Sequence, residues 1–391
     1  MTPTPILDRV TPLPAPVPPG RGSRIIAGVG VAVGFAIALT LGLAKPAWGR
    51  SAAATLRTSL PDLFHAPWTP ARAVVTTASL LFALVGFVVL HEFGHLIGGL
   101  LAGFRFNTIA IGPIKLDDRF RISIHRGPLA WSGGWVSMFP VARDRLRWRA
   151  IVLVAAGPLV CMLVGAGALL ARAVVGPASA LFVAGCLLGV LDLLPVRAGA
   201  VTLDGWRLVR LFRDDAWGRR WLALLSVPAE FRNGVAPDEL PRTVLDALVA
   251  CEDESAETSI AHAIVYAASF HAGDDERTAR MLETSLRFSG HAPPPFRPAL
   301  MSDAAVFQAR RRRRPDLALA WRNDIAPDAP SWLRTRAEAA ILQAQGQTAA
   351  ALARLDDCEQ AIAALPMPTE AQRQMAIRQL GRWKAELSVI S

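Results

Sequence analysis

The chain is short of charge, of histidine and of cysteine. Only 19% of its 391 residues are Asp, Glu, Lys or Arg, while 52% are hydrophobic. A deficit of that size excludes an ordinary soluble globular protein of this length. The four cysteines, at 161, 186, 251 and 358, fall in no paired spacing. That excludes a disulfide framework and a cysteine-based zinc ribbon. Cys161 and Cys186 lie in apolar stretches, where cysteine behaves as a small hydrophobe. With only seven histidines in the chain, any regular pairing among them is informative.

The missing charge is missing from particular places. Residues 25–44, 150–171 and 174–191 hold no formal charge, and residues 73–104 hold Glu92 alone. A spanning helix needs about 20 apolar residues. The pattern therefore predicts about four transmembrane helices, the last ended by Pro195. A cleaved signal segment is the other reading of the first run, but its length favours a retained helix.

The net charge of +10 raises the question of nucleic acid, and its distribution answers it. Lys and Arg number three in residues 1–24, nine in 105–149 and six in 196–220, against four in 45–72 and Arg172 alone in the remaining link. This is the positive-inside asymmetry. It predicts a multi-pass protein of the cell membrane with both termini cytoplasmic, the lipid bilayer as a partner, and no nucleic-acid partner. The run Arg310–Arg314 reads as a solvated helix face, with an anionic partner as the alternative.

Residues 1–23 are Pro-rich and read as a disordered tail. A membrane-embedded domain is expected over 24–234 and a cytoplasmic helical domain over 235–391. Between the second and third apolar runs, "RFNTIAIGPIKL" and "FRISI" alternate apolar and polar residues around Asp117-Asp118-Arg119. That is strand–turn–strand patterning, continued by "WSGGWVSMFP" up to Pro140. The stretch beginning at Trp206 has apolar residues at helical spacing with Arg between them, as expected of an interfacial helix. Further on, Phe270, Phe307 and Leu342 mark three similar stretches at steps of 37 and 35 residues. That is near the period of tetratricopeptide-like helical hairpins. A repeat array and an irregular all-α domain both remain open, and either offers a surface for a protein partner.

The second apolar run contains His91-Glu92-Phe93-Gly94-His95. On a helix, positions i and i+4 share one face, so His91 and His95 can present two imidazoles to one metal ion. Glu92 lies beside them, placed to take a proton from water. This is the H-E-x-x-H arrangement of zinc hydrolases. A hydrogen-bonded Glu–His pair inside a bundle is the alternative. Three ionisable groups at membrane depth, each costing about 2.5–3.5 kcal/mol on the most lenient scale, call instead for a common partner. A third ligand is required for a hydrolytic zinc site. Asp192 and Asp204, in "DLLPVRAGAVTLDG", are the carboxylates within reach. Asp204 also reads as an N-cap for the helix starting near Trp206.

Together, His91-Glu92-Phe93-Gly94-His95, "AAGPLV" (155–160) and "DLLPVRAGAVTLDG" (192–205) resemble the site-2 protease family of intramembrane zinc metalloproteases. The resemblance covers roughly residues 73–210, the expected catalytic core. It implies a three-helix core with H-E-x-x-H on its first helix, a Gly-Pro on the middle helix matched by Gly157-Pro158, and an N-x-x-P…D-G motif on the last. It further implies His91, His95 and Asp204 as ligands to Zn2+ and Glu92 as general base. "GGWVSM" resembles the family's Gly-Gly strand beside the active site and puts Gly133 and Gly134 near substrate. Asp192 departs from the pattern: it stands where the family has Asn, and an ionised carboxylate only accepts hydrogen bonds. The stretch from Pro195 to Asp204 is also longer than the family's compact form, and nothing resembles the PDZ domain of some members.

The expectation is thus a mainly α, polytopic membrane protein with a small β-sheet insertion and a C-terminal all-α domain. Its expected activity is zinc-dependent hydrolysis of a peptide bond in or near a transmembrane segment of a membrane-protein substrate. Two rivals stand: a membrane scaffold that has lost turnover through Asp192, and a zinc hydrolase of lipids or small molecules. Extended strands favour a peptide over the latter.

Overall fold

In the computed structural model, residues 6–16, 70–124, 134–170, 189–198, 201–365 and 369–390 are described. The chain divides into two compact units, residues 19–218 and residues 1–18 together with 219–391. The apolar runs at 25–44 and 174–188, two of the four expected spans, lie outside the described residues.

The first unit is built on two long apolar helices, α1 (Pro70–Leu101) and α2 (Leu146–Leu170). Among the described residues, one helix is long and apolar enough to cross a membrane, Leu146–Val164, and Val85–Leu101 forms a shorter apolar stretch. The two helices pack closely because α1 carries small residues one turn apart. A Cβ on Gly94 would lie 2.7 Å from the Ala156 carbonyl oxygen and 2.8 Å from Gly157 Cα, and a Cβ on Gly98 would collide with Ala156 Cβ. This is the small-xxx-small device that lets apolar helices meet backbone to backbone. Away from that seam, large apolar side chains face outward: Phe93, Ile97 and Leu100 on α1, Val152, Leu159 and Leu163 on α2.

Between the helices the chain forms a four-stranded antiparallel sheet in the order β3-β2-β1-β4, from β1 (Phe104–Ile111), β2 (Ile114–Asp117), β3 (Ile122–Ile124) and β4 (Gly134–Pro140). The alternation predicts one strand over "RFNTIAIGPIKL"; the structure breaks it at Gly112-Pro113. Gly112 takes a φ of +55° there, the positive φ that two-residue hairpin loops require. The expected turn at Asp117 is present, with its carboxylate accepting from the amides of Arg119 and Arg121, both at 2.9 Å. Strand β4 ends at Pro140 as expected and pairs with β1, so it is an edge strand. Arg149, near the start of α2, gathers the chain ends. Its guanidinium donates to the carbonyls of Ala102 and Ala142, each at 2.6 Å, and to that of Gly103. It thereby ties the residues just after α1 to the loop that leads into α2.

After the helical residues 189–192 the chain makes a minimal hairpin, β5 (Arg197–Ala198) with β6 (Val201–Thr202). The hairpin absorbs the long stretch after Pro195, and Leu203 N donates back to the Val196 carbonyl at 3.2 Å. Helix α3 (Asp204–Arg213) follows at once. Gly205 is forced: a Cβ there would strike the carbonyls of Leu193 and Leu194. The expected interfacial helix is thus two helices, because Asp214 takes a left-handed φ of 52° before α4 (Ala216–Arg232) begins.

The second unit is all-helical: α5 (Arg242–Leu248), α6 (Ala256–Ala272), α7 (Asp275–Arg287), α8 (Arg297–Arg310), α9 (Pro315–Asn323), α10 (Ser331–Ala344), α11 (Thr348–Ala363) and α12 (Glu370–Ile390). Consecutive helices pair as α6/α7, α8/α9 and α10/α11. Their reversals fall at positive-φ residues, Gly273, Arg313 and Gly346. Phe270, Phe307 and Leu342 each sit two or three residues before the end of the first helix of a pair. The core includes Leu282, Leu286, Phe307, Trp321 and Leu355.

Two sequence expectations fail in this unit. Residues 6–16, expected to be disordered, are ordered as part of it, with Ile6 and Leu7 buried in its core. The proline content blocks helix, but two aliphatic side chains with a burial site outweigh it. Nor is the whole run Arg310–Arg314 a solvated face: Arg313 and Arg314 are exposed, but Arg310, Arg311 and Arg312 are not. Arg310 stacks on Trp383 at 4.2 Å and pairs with Glu386 at 2.5 Å, Arg311 donates to the Phe270 carbonyl, and Arg312 pairs with Asp8.

The helix seam makes a paired test. Gly98→Ala is expected to destabilise the first unit by about 1–3 kcal/mol through overpacking. Gly86→Ala, whose Cβ meets nothing within 4 Å, is expected to be neutral or stabilising by about 0.5–1 kcal/mol. Thermal unfolding of the two full-length variants in detergent reads the difference in sign.

Candidate metal centre

The centre is assembled from three separated segments of the first unit. Helix α1 supplies His91, Glu92 and His95, the last of the helical residues 189–192 supplies Asp192, and the first residue of α3 supplies Asp204. The i,i+4 spacing stacks the two imidazoles edge to face with centroids 4.7 Å apart, and their Nε2 atoms stand 3.1 Å from each other. Asp204 Oδ2 reaches His95 Nε2 at 2.9 Å and His91 Nε2 at 3.3 Å. All three side chains are buried.

What matters most is where the protons are. His95 Nδ1 is 2.9 Å from the Leu153 carbonyl, which only accepts, so Nδ1 carries the hydrogen and Nε2 offers a lone pair. Asp204 Oδ1 is held by Arg207 at 2.9 Å, whereas its buried Oδ2 has no hydrogen-bond partner. Two acceptors, His95 Nε2 and Asp204 Oδ2, therefore face each other at 2.9 Å with no proton of their own between them, and His91 Nε2 joins them at 3.1 and 3.3 Å. A buried arrangement of that kind is unfavourable unless a cation or proton joins it. Their ligand atoms lie within 4.8 Å of one another. Two imidazole nitrogens and one carboxylate oxygen, leaving a position open, are the donor set of a catalytic zinc site, so the residues present fit that ion.

The surroundings fix this geometry by leaving atoms out. A Cβ on Gly157 would lie 2.5 Å from His95 Nε2, so α2 meets the histidine only because that position is glycine. A Cβ on Gly134 would lie 2.5 Å from Glu92 Cγ and 2.9 Å from its Oε1. The first residue of edge strand β4 therefore lies directly on the buried Glu92. Gly133 lies outside the described residues.

Asp204 combines the two roles weighed for it. It opens helix α3, where a carboxylate suits the helix dipole, but the N-cap is Leu203 and the Asp204 carboxylate points at the histidines. Asp192 is also present, with Oδ2 3.1 Å from His91 Nε2 and Oδ1 accepting from the Asp204 amide at 3.4 Å. Sequence reasoning missed several supporting groups: Arg207 on Asp204, the Leu153 carbonyl on His95, and Cys161, whose Sγ is 3.9 Å from His91 Nδ1. Arg207 was open to inference, one helical turn after Asp204; the carbonyl left no mark in the sequence.

A helix-borne H-E-x-x-H with a carboxylate brought from a distant segment, set among apolar helices, is the donor layout that metallopeptidases use. Residues 79–176 of this chain match the family model described as Peptidase family M50, the site-2 protease family. The match takes in His91, Glu92, His95, the sheet and Gly157, and stops short of Asp192 and Asp204. No curated protein and no solved structure matches the chain.

Elemental analysis of the purified protein is expected to find a single divalent ion per chain, lost on His95→Ala or Asp204→Ala and kept on Asp192→Ala. Arg207→Ala, which frees the Asp204 carboxylate, is expected to weaken metal affinity by about 10–100-fold. Titration against a chelator of known affinity measures that change.

Proposed function

We propose that the protein is a polytopic intramembrane zinc metalloendopeptidase that hydrolyses peptide bonds in or near transmembrane segments of other membrane proteins. The observation that carries this reading is the convergence of His91 Nε2, His95 Nε2 and Asp204 Oδ2 beside Glu92, beneath an edge strand. The Peptidase family M50 match and the outward apolar faces of α1 and α2 support it.

His91, His95 and Asp204 would hold a zinc ion, which when bound would supply Lewis acidity toward a carbonyl oxygen and lower the pKa of water to about 7. The chain's residues do the rest. The Leu153 carbonyl holds the His95 ring in its metal-binding tautomer, and Arg207 orients Asp204. Glu92 takes the proton from water as its oxygen attacks the carbonyl carbon, then delivers it to the amide nitrogen as the C–N bond breaks. A helical peptide bond is shielded by its own hydrogen bonds, so the substrate unwinds first. Strand β4, which among the described residues pairs on one side only, offers its other edge to an extended chain next to Glu92, the β-augmentation mode. The C-terminal unit, with its tetratricopeptide-like pairing of helices, recruits or regulates.

One observation favours the rival, a membrane scaffold without turnover. Asp192 Oδ2 stands close enough to His91 Nε2 to serve as a fourth ligand, and structural zinc sites are those with four. Two substitutions in cells separate the readings, with membrane-protein fragments followed by proteomics. Glu92→Gln is expected to suppress a set of fragments by about 10²–10⁴-fold in rate. Asp192→Asn is expected to leave those fragments in place. Metal-loaded protein with no fragment dependent on Glu92, and fragments that appear only on Asp192→Asn, would establish the scaffold instead.

A further inference from the structure

The ordered N-terminal segment is held in a way that ordinary core packing does not require. Residues 6–9 form a single turn, closed by Arg9 N donating to the Ile6 carbonyl at 2.9 Å. They contribute no helix or strand to the unit. Yet their backbone is read group by group by side chains from three successive helices. Glu283 on α7 accepts from the amides of Ile6 and Leu7 through its two oxygens, at 3.1 and 2.9 Å. Gln308 on α8 and Trp321 on α9 both donate to the Leu7 carbonyl, at 2.8 and 3.0 Å. These three side chains are almost fully buried. Among the described residues, the Glu283 carboxylate bonds only to those two amides. Without a peptide backbone in the groove it would be a buried charge lacking partners, which is strongly unfavourable.

Side-chain recognition is layered on the backbone contacts. Leu7 is fully buried and Ile6 nearly so. Asp8 pairs with Arg312 and accepts from Gln308 at 3.1 Å. Arg9 pairs with Asp324 at 2.7 Å and lies 4.8 Å over the Trp321 ring. Further along, Arg297 donates to the Pro14 carbonyl at 2.8 Å. Backbone capture, two apolar pockets and a matched acidic–basic pair are the ingredients of linear-peptide recognition.

We infer that the C-terminal helical unit is a peptide-recognition module for segments with two adjacent aliphatic residues followed by an acidic and a basic one, and that Ile6-Leu7-Asp8-Arg9 is its resident ligand. A segment of the same chemistry in a partner protein competes for the groove. The resident segment opposes it at the high effective concentration of a tethered ligand. This inference stands apart from the protease reading, because every residue it uses lies in the second unit.

The test uses full-length protein in detergent and a fluorescent synthetic peptide of residues 2–16, with anisotropy as the readout. Wild type is expected to bind the peptide weakly. Leu7→Asp, which ejects the resident segment, is expected to raise affinity at least about ten-fold by removing the tethered competitor. Asp8→Arg, a milder change that repels Arg312, is expected to act in the same direction and covers the case in which Leu7→Asp impairs folding. Adding Gln308→Ala to either is expected to abolish the gain, and a peptide carrying Leu7→Asp is expected not to bind. Folded Leu7→Asp and Asp8→Arg proteins that bind the peptide no better than wild type would overturn the inference. So would binding that Gln308→Ala leaves unchanged.

Discussion

Ionisable side chains withdrawn from water must be satisfied by one another or by a shared ion, and the first unit is arranged around that requirement. His95 and Asp204 present lone pairs to a common point beside His91 Nε2, and the groups behind these two make them do so. The Leu153 carbonyl takes the one proton that would have let His95 donate toward Asp204, and Arg207 occupies the other Asp204 oxygen. The hairpin after Pro195 exists, in energetic terms, to return a carboxylate to that point. The close seam between α1 and α2 is what allows Leu153 and Gly157 to touch the ring of His95. Fold and metal centre are therefore one problem: helices a little further apart would leave the histidines without their orienting partner.

Some of this was legible in the sequence and some was not, for identifiable reasons. His91 and His95 were legible because helical periodicity puts i and i+4 on one face whatever surrounds them. Asp204 was legible through scarcity, since few carboxylates lie near apolar runs, and through a motif that accompanies H-E-x-x-H. Its route back was not, because strands of two residues each, Arg197–Ala198 and Val201–Thr202, are too short to leave a periodic signal. The sheet was read from alternation, but its first reversal was missed because Gly112-Pro113 sits inside an otherwise continuous alternating run.

The N-terminal segment was the clearest misreading. Composition describes what a stretch can do alone, and a Pro-rich stretch alone does not fold. Ile6 and Leu7 are ordered by Glu283, Gln308 and Trp321, hundreds of positions away, and no local pattern encodes a groove. The arginine run at 310–314 misled for a related reason. Its charges suggested solvent, but planar guanidinium groups also stack on rings and cap carbonyls, as Arg310 and Arg311 do.

Glycines 94, 134 and 157 carry no chemistry, yet each borders the candidate centre where a single methyl group would fall on the Ala156–Gly157 backbone, on Glu92 or on His95. The centre is shaped as much by missing atoms as by ligands. Variation should therefore be as constrained at these blank positions as at the histidines, and a redesign that grafts only the reactive side chains onto another helix pair would reproduce the donors without the space they need.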